Sequence, residues 1–427
     1  MIRRVAKRVL STKVYAHILW RYHRFLDRVE AVRGQDTGSR DVLVLLAANG
    51  GGNIGDQALL EAALQSSQGS VVVLAKSVSH VEIPSEFSER VTVTSVPHLL
   101  DPLLVSSLRD HRQVRRLLRN AHAFWVVGAD LMDGLYNPSA SLSRASLLVS
   151  AHAFGCESRA LGFSWPDRPM ATVSRRLREA DRVAALFARD PVSHSRMIEQ
   201  GFVNVELSSD IVFSDSRVAP VPELVEIVSD WHSAGRMIAV VNASALIGSR
   251  RSQAGDYKTI FEALAQRGYA VVALPHVIRE SGNDLLELRS ILETCGMDSV
   301  DLLVGRLLTP AESRWLAGQA DLVITGRMHL AVLALSSGVP TITLGTQGKV
   351  EGLYAFFGIP ELAIEPVGDF GVAVAAAVGD IVGHQAVFVE AIQAALPRVV
   401  SLGSRSFEGL AWRAPGAEGS VGGNEEL

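Results

Sequence analysis

Short runs of apolar, mostly β-branched residues recur along the chain from Asp41 onward, separated by stretches with helical periodicity. In the first half these runs are VLVLLA (42–47), SVVVLA (70–75), AFWVVG (123–128), SRALGF (158–163) and RVAALFA (182–188). Alternation of buried strands with helices is typical of βαβ units. The pattern therefore predicts a parallel sheet.

The alternation is interrupted once and then begins again. The prolines of RVAPVP (217–222) break it, and a helix-like segment, ELVEIVSDWHSAG, follows. The later apolar runs are MIAVVNAS (237–244), YAVVALPH (269–276), SVDLLV (299–304), DLVITG (321–326) and VPTITLG (339–345). We predict an α/β protein with two Rossmann-like doubly wound domains, residues 41–220 and 221–397, whose binding edges face a shared cleft.

The two ends of the chain differ from this pattern. Residues 1–40 carry ten Lys or Arg and three Asp or Glu, and their apolar residues recur at steps of three and four. This predicts a basic amphipathic helical arm, which we expect to pack on its own domain or on a second subunit. Alternatives are contact of residues 1–33 with an anionic membrane and, less favoured, a mitochondrial presequence. Residues 398–427 are rich in Gly, Ser and Glu, so we predict a disordered tail.

Composition narrows the class of protein. The chain has 427 residues, a net charge of −4 and two cysteines, Cys156 and Cys295, without CxxC spacing. We expect no disulfide framework, no metal site and no nucleic-acid partner, since the basic character is confined to the arm. No apolar run looks long enough to cross a bilayer and no signal peptide is apparent, so we expect a cytoplasmic protein, with the inner face of the membrane as an alternative location.

The first motif, AANGGGNIGDQALLEAAL, follows the first strand. Gly51 and Gly52 would let the backbone approach a ligand, and Asn53 leads into a helix whose first amides would attract an anion. Asn53 or Asp56 would cap this helix, and for Asp56 capping and catalysis remain equally favoured. The motif has neither the Lys-Ser/Thr of a P-loop nor the order GxGxxG, so it does not indicate nucleotide binding.

The second motif lies where the strand DLVITG ends and the next helix begins. Arg327 offers a planar fork for a carboxylate or phosphate, and His329 beside it can exchange a proton near neutral pH. Lys349 follows the next strand. An isolated His or Lys would be read as a buried or solvated residue, but three such groups at one sheet edge favour a site for a small polyanion.

Five segments, in order, resemble the polysaccharide pyruvyl transferases over residues 42–365: NIGDQALLEA, ARDPVSHSRMIEQG, SSDIVFS, LPH and TGRMHLAVLALSSGVPTITLGTQGK. The resemblance implies a glycosyltransferase-B-like fold with phosphoenolpyruvate in the cleft. It also implies formation of a pyruvate ketal on a sugar of a polysaccharide or glycan precursor, lipid-linked or free, without a cofactor. The alternatives are a nucleotide-sugar glycosyltransferase and a non-catalytic homologue that binds glycans.

The resemblance also implies residue roles. Arg327 and Lys349 would hold the donor's carboxylate and phosphate, and His329 would be the general acid. Arg189 and His276 are further cleft candidates. An acidic residue, Asp56 or Asp130, would assist the acceptor hydroxyl. Trp165 would either stack on a sugar or pack in the core, and packing is the favoured reading.

Overall fold

The computed structural model describes residues 40–48, 51–100, 105–280, 282–345 and 350–409. Apart from Arg40, the predicted basic arm of residues 1–40 lies outside these ranges. Within them the chain forms two parallel sheets, one in each half, with helices between successive strands.

The first sheet has seven parallel strands in the order β3-β2-β1-β4-β5-β6-β7. The strands are β1 (Val42–Leu46), β2 (Ser70–Ala75), β3 (Val91–Ser95), β4 (Ala121–Ala129), β5 (Glu157–Phe163), β6 (Ala185–Ala188) and β7 (Val205–Leu207). The helices are α1 (Ile54–Gln65), α2 (Val105–Arg119), α3 (Pro138–Ala153), α4 (Ala171–Ala180) and α5 (Pro191–Glu199). Alternate residues of β1 enter two apolar clusters, with α1 on one face and α2 to α5 on the other, so the sheet is doubly wound.

The second sheet repeats this arrangement in the order β12-β9-β8-β13-β14-β15. Its strands are β8 (Ile238–Asn242), β9 (Ala270–Ala273), β12 (Leu302–Leu303), β13 (Leu322–Thr325), β14 (Thr341–Leu344) and β15 (Ala363–Ile364); β10 (Ile278–Arg279) and β11 (Gly282–Asn283) form a separate hairpin. The helices are α6 (Val225–Ser233), α7 (Ala245–Gly248), α8 (Ala254–Ala265), α9 (Asp284–Cys295), α10 (Pro310–Gly318), α11 (Met328–Ser336), α12 (Val350–Tyr354) and α13 (Phe370–Arg405).

The predicted disordered tail begins too early. Helix α13 continues past Pro397 to Arg405, and Val399 and Leu402 are buried. Ser209 Oγ donates to the Val399 carbonyl at 2.7 Å, and Ser208 Oγ donates to that of Leu402 at 3.0 Å. These contacts join the end of the chain to the first half and stabilise it as a helix. Residues 410–427 lie outside the described part.

Helix α13 also contradicts the expectation that no apolar segment is long enough to cross a bilayer. By length and composition alone it could cross a membrane. It is bent at His384, contains Pro397, and buries Phe370, Val374 and Ile381 inside the protein. Core packing accounts for those three residues, whereas Val372, Val382 and Val387 on the same helix are exposed.

In each sheet the strand order reverses at one point, between β1 and β4 in the first and between β8 and β13 in the second. Connections leave such a point toward opposite faces of the sheet, which opens a crevice at the carboxyl ends of the two strands. The candidate site lies where the two crevices face each other.

Candidate active site

A cavity of about 540 Å³ lies between the carboxyl edges of the two sheets. Its lining comes from both halves and includes Asn53, Asp56, Asp130, Tyr136, Arg189, Ala245, Ser249, His276, Arg279, Arg327, Met328 and His329. Its volume is in the range usual for small-molecule sites. The sequence-predicted Asn53, Asp56, Arg189, His276, Arg327 and His329 are therefore brought together.

Arg327 begins α11 at the end of β13, and its guanidinium is already paired. Nε lies 3.1 Å from Oδ2 of Asp284, and Nη2 lies 2.6 Å from Oδ1. Asp284 is completely buried. A bidentate pair of this kind fixes the guanidinium plane. The fork that we predicted for a ligand is thus occupied on one edge, and the Nη1 side is left for the cavity.

Asp284 organises more than Arg327. Its carboxylate accepts hydrogen bonds from the backbone amides of Ala245, His276 and Val277 and from the Asn242 side chain, at 2.9 to 3.2 Å. One buried carboxylate therefore ties together the ends of β8, β9 and β13.

His329 sits where the N-termini of α1 and α11 abut. Its Nε2 is buried and lies 3.4 Å from Oδ2 of Asp210, which is within ion-pair range but without good hydrogen-bond geometry. A Cβ atom on Gly55 would approach Nδ1 to 2.4 Å, so the imidazole fits only because residue 55 is a glycine. Burial acts to raise the pKa of Asp210, but His329 and Arg189 outweigh it and hold the pKa at about 2.

Arg189, at the end of β6, is buried and saturated with partners. Nη1 lies 3.2 Å from Asp210, Nη2 lies 2.5 Å from Asp130, and Nε donates to Ser164 Oγ at 2.8 Å. Burial acts to lower the pKa of Arg189, yet the surrounding carboxylates raise it above its ordinary value. A continuous series of contacts, Asp130 to Arg189, Arg189 to Asp210 and Asp210 to His329, thus joins the first half to the second.

The structure decides between the two capping candidates of α1. Asn53 is the cap, and its Oδ1 accepts from the Gly55 amide at 3.0 Å. Asp56 instead lines the cavity. Burial raises the pKa of Asp56, although His329, Arg279, Asn53 and Arg144 act in the opposite direction. A raised carboxyl pKa in a cleft is typical of a group that exchanges protons.

The predicted ligand-binding role of the glycine turn is not what the geometry shows. Gly52 has φ of +73°, and a Cβ there would lie 2.2 Å from the Ile278 carbonyl, so this glycine allows close approach of the hairpin and not of a ligand. The Ile54 amide donates to the His276 carbonyl at 3.1 Å. Gly51 and Gly52 do not line the cavity, and the Ile54 and Gly55 amides donate to protein oxygens.

Two further expectations concern single residues. Lys349 lies outside the described residues, so its predicted place stays a prediction. Trp165 is buried against Phe163 and Phe202, and its Nε1 donates to Gln200 at 2.9 Å. Packing was the favoured reading for Trp165, and its contacts match that reading.

Sequence reasoning missed Asp284, Asp210 and Arg279. Asp210 stood inside the SSDIVFS segment, but nothing in the sequence paired it with His329. Asp284 and Arg279 lie in RESGND, which reads as an ordinary polar turn. The available signal for Arg279 was its position three residues after His276, close to a strand end that must reach the same sheet edge.

Solved structures of similar fold include three that carry uridine nucleotides or act on them. S. aureus MnaA in complex with UDP has a TM-score of 0.56 at 14% identity, covering 86% of this chain and 94% of that one. A Polygonum tinctorium UDP-glucosyltransferase gives 0.55 at 12%, covering 87% and 98%. The Neisseria meningitidis UDP-GlcNAc 2-epimerase bound to UDP-GlcNAc gives 0.53 at 12%, covering 85% and 97%. These likenesses confirm the glycosyltransferase-B-like fold and carry nothing about the ligand.

No curated protein matches the chain in a sequence search. The family model for polysaccharide pyruvyl transferase matches residues 53–348, a span that begins at the cap of α1, continues past the end of β14 and includes every described polar residue of the cavity named above. That match covers more than half of the chain, so the protein belongs to the polysaccharide pyruvyl transferase family.

Proposed function

We propose that the protein transfers pyruvate from phosphoenolpyruvate to a saccharide as a cyclic ketal. A proton adds to the methylene carbon of the donor, which makes C2 electrophilic. One sugar hydroxyl forms a C–O bond to C2, the bond from C2 to the phosphate oxygen breaks, and a second hydroxyl closes the ring. Bases take up the two hydroxyl protons; one of these protons restores the acid, and the other is carried away by the phosphate, which is released as inorganic phosphate.

The observation that carries this proposal is the convergence of Arg327 and His329 with Asp56 and Arg189 in one cavity between the halves. The reaction needs a proton donor and fixed positive charge close to one carbon, and this set supplies both. The cavity has room for a three-carbon acid beside a sugar ring.

His329 is the general acid in this scheme. Nε2 of His329 faces Asp210 at 3.4 Å, which leaves Nδ1 as the ring nitrogen that gives a proton to the donor. Arg327 holds the donor's carboxylate through its free Nη1 edge, and Lys349 assists with the phosphate. The carboxylate of Asp284 keeps Arg327 in that orientation.

The first half supplies the acceptor side. Asp130 is tied to Arg189 in an ion pair, whereas Asp56 has no such partner among the described residues and has a raised pKa. Asp56 is therefore the better candidate for the base that takes a proton from the sugar hydroxyl. The acceptor in this proposal is a sugar of a polysaccharide or glycan precursor, lipid-linked or free.

The test is product formation from phosphoenolpyruvate and a panel of free and lipid-linked saccharides. The expected product is heavier than the acceptor by the mass of pyruvic acid less that of water, and phosphate appears in equal amount. His329→Ala should abolish both while leaving the unfolding transition in place. Transfer of a sugar from a UDP- or GDP-sugar, with no product from phosphoenolpyruvate, would establish a glycosyltransferase instead.

A non-catalytic homologue is the third reading, and the same assay separates it. In that case glycans would bind, no phosphate would be released with any acceptor, and Arg327→Ala would leave binding unchanged.

A further inference from the structure

The charges around the cavity are mostly neutralised by protein. Among the arginines that line it within the described residues, Arg327 is paired with Asp284, and Arg189 is paired with Asp130 and Asp210. A small polyanion gains less binding free energy from a cation whose charge is already balanced by a buried carboxylate. The predicted cationic edge is therefore less positive than a count of its basic residues suggests.

Arg279 is the exception. It lines the cavity and is exposed, and its side chain has neither an ion pair nor a hydrogen-bond partner in the described part of the chain. It also lies close enough to Asp56 for its charge to act on that carboxyl and lower its pKa. Its positive charge is thus available to a ligand.

The backbone around Arg279 is held firmly. Strand β10 pairs with β11 through Ile278 and Asn283. The Ile278 amide also donates to the Gly52 carbonyl at 2.9 Å, which anchors the hairpin to the first half. A guanidinium on such a support loses less freedom on binding than one on an open loop.

A neighbouring side chain, His276, also lacks protein partners. His276 is 2% exposed and lines the cavity, and neither of its ring nitrogens has a hydrogen-bond partner among the described residues. Its burial and the nearby His329 and Arg327 lower its pKa well below the ordinary value, so the ring is neutral and offers one N–H. A buried polar group without a partner costs free energy unless a ligand or water satisfies it.

The N-terminus of α11 lies in the same wall of the cavity as His276. No side chain within the described residues caps this helix, and Met328 and His329 line the cavity. The first amides of a helix point out of its N-terminus and favour an anion.

We propose that Arg279, His276 and the first amides of α11 form the subsite for the donor's phosphate group. This inference rests on the proposed function and deepens it. Arg279 supplies the unbalanced charge, His276 donates one hydrogen bond, and the helix start orients the remaining phosphate oxygens. Because Arg279 is exposed, the phosphate that leaves C2 has a direct route to solvent.

The test measures binding of inorganic phosphate and of phosphoenolpyruvate by calorimetry to the full-length protein and to Arg279→Gln. We expect both dissociation constants to rise roughly tenfold, since a charge-assisted contact is lost. Arg279→Lys should recover part of the affinity. Arg289→Gln is the matched control, because Arg289 is an exposed arginine nearby in sequence that does not line the cavity.

The salt dependence of binding and the kinetics of turnover distinguish the possible outcomes of this test. The difference between the native protein and Arg279→Gln should shrink at high ionic strength, because exposed charges are screened. If ketal formation is observed and Arg279→Gln keeps the native KM for phosphoenolpyruvate, the subsite is wrong and the function stands. If inorganic phosphate binds through Arg279 but phosphoenolpyruvate is not a donor, the subsite stands and the function falls.

Discussion

Arg327 meets Asp284 through two hydrogen bonds, Nε to Oδ2 and Nη2 to Oδ1, with the carboxylate completely buried. The arginine that the family resemblance assigns to the donor is thus oriented by a residue forty-three positions earlier in the chain. The same carboxylate holds the backbone of His276 and Val277. The orientation of Arg327 and the integrity of this sheet edge therefore depend on one side chain.

Asp284→Asn should destabilise the protein. The change leaves the Arg327 charge without its partner in a buried setting, so we expect the free energy of unfolding to fall by about 3 kcal/mol. Urea unfolding measures it. Glu223→Gln, which breaks an exposed pair with Arg306, is the control and should cost less than about 1 kcal/mol. Equal losses in the two variants would contradict the role given to Asp284.

Asp56→Asn should make the protein more stable and less active. The folded-state pKa of Asp56 lies above its unfolded value, so its contribution to stability is full below the unfolded pKa and is lost as pH rises through the folded pKa. Once the carboxyl is ionised, its burial is a cost in folding free energy that asparagine removes. Turnover should fall by about 100-fold or more if Asp56 is the base.

Thermal unfolding and a pH–rate profile check the Asp56 prediction together. The native profile should fall on the acidic side as Asp56 takes up a proton, and that limb should disappear in the variant. A lower melting temperature at neutral pH, or an unchanged profile, would show that Asp56 is a structural carboxylate.

Gly55→Ala should impair turnover without removing any polar group. The added Cβ would stand 2.4 Å from His329 Nδ1 and force the imidazole away from Asp210. Gly255→Ala is a matched control, since Gly255 is also the second residue of a helix and has nothing within 4 Å of the added atom. We expect a large fall in kcat for the first variant and none for the second. Native kcat in Gly55→Ala would mean that His329 does not need its observed position.

Lys349→Ala should chiefly weaken donor binding. The residue follows β14, one strand beyond the site of Arg327, and the proposal gives it a share of the phosphate. We expect KM for phosphoenolpyruvate to rise with little change in kcat, because the lost contact is the same in the ground and transition states. Steady-state kinetics decide the matter, and an unchanged KM would refute the role.

The strands that the sequence predicted are those with continuous apolar runs. β2 spans the same residues as the SVVVLA run, and β8 and β13 lie inside theirs, because both faces of these strands are covered. β3 was missed because VTVTS is a half-exposed edge strand. β7 and β15 were missed because strands of three and two residues are too short to show a periodic pattern of apolar residues. The hairpin of β10 and β11 is too short for any periodic signal.

The site could be located from sequence only in part. Arg327, His329 and His276 could be placed at one edge of a sheet from the sequence. Each lies at or just after the end of a predicted strand, and the carboxyl ends of parallel strands meet at the same edge. The partners of those residues could not be predicted, since Asp284 and Asp210 reach them through contacts between distant parts of the chain. Gly52 was misread because a glycine that admits another backbone looks the same in sequence as one that admits a ligand.

Ligand-dependent thermal unfolding tests the central claim, that this cavity holds phosphoenolpyruvate. A ligand at 100 times its Kd stabilises the folded state by about 2.7 kcal/mol. We predict that phosphoenolpyruvate raises the melting temperature of the native protein, that His329→Ala and Arg279→Gln reduce the shift, and that UDP- and GDP-sugars give none. A shift with a nucleotide sugar and none with phosphoenolpyruvate would contradict the account.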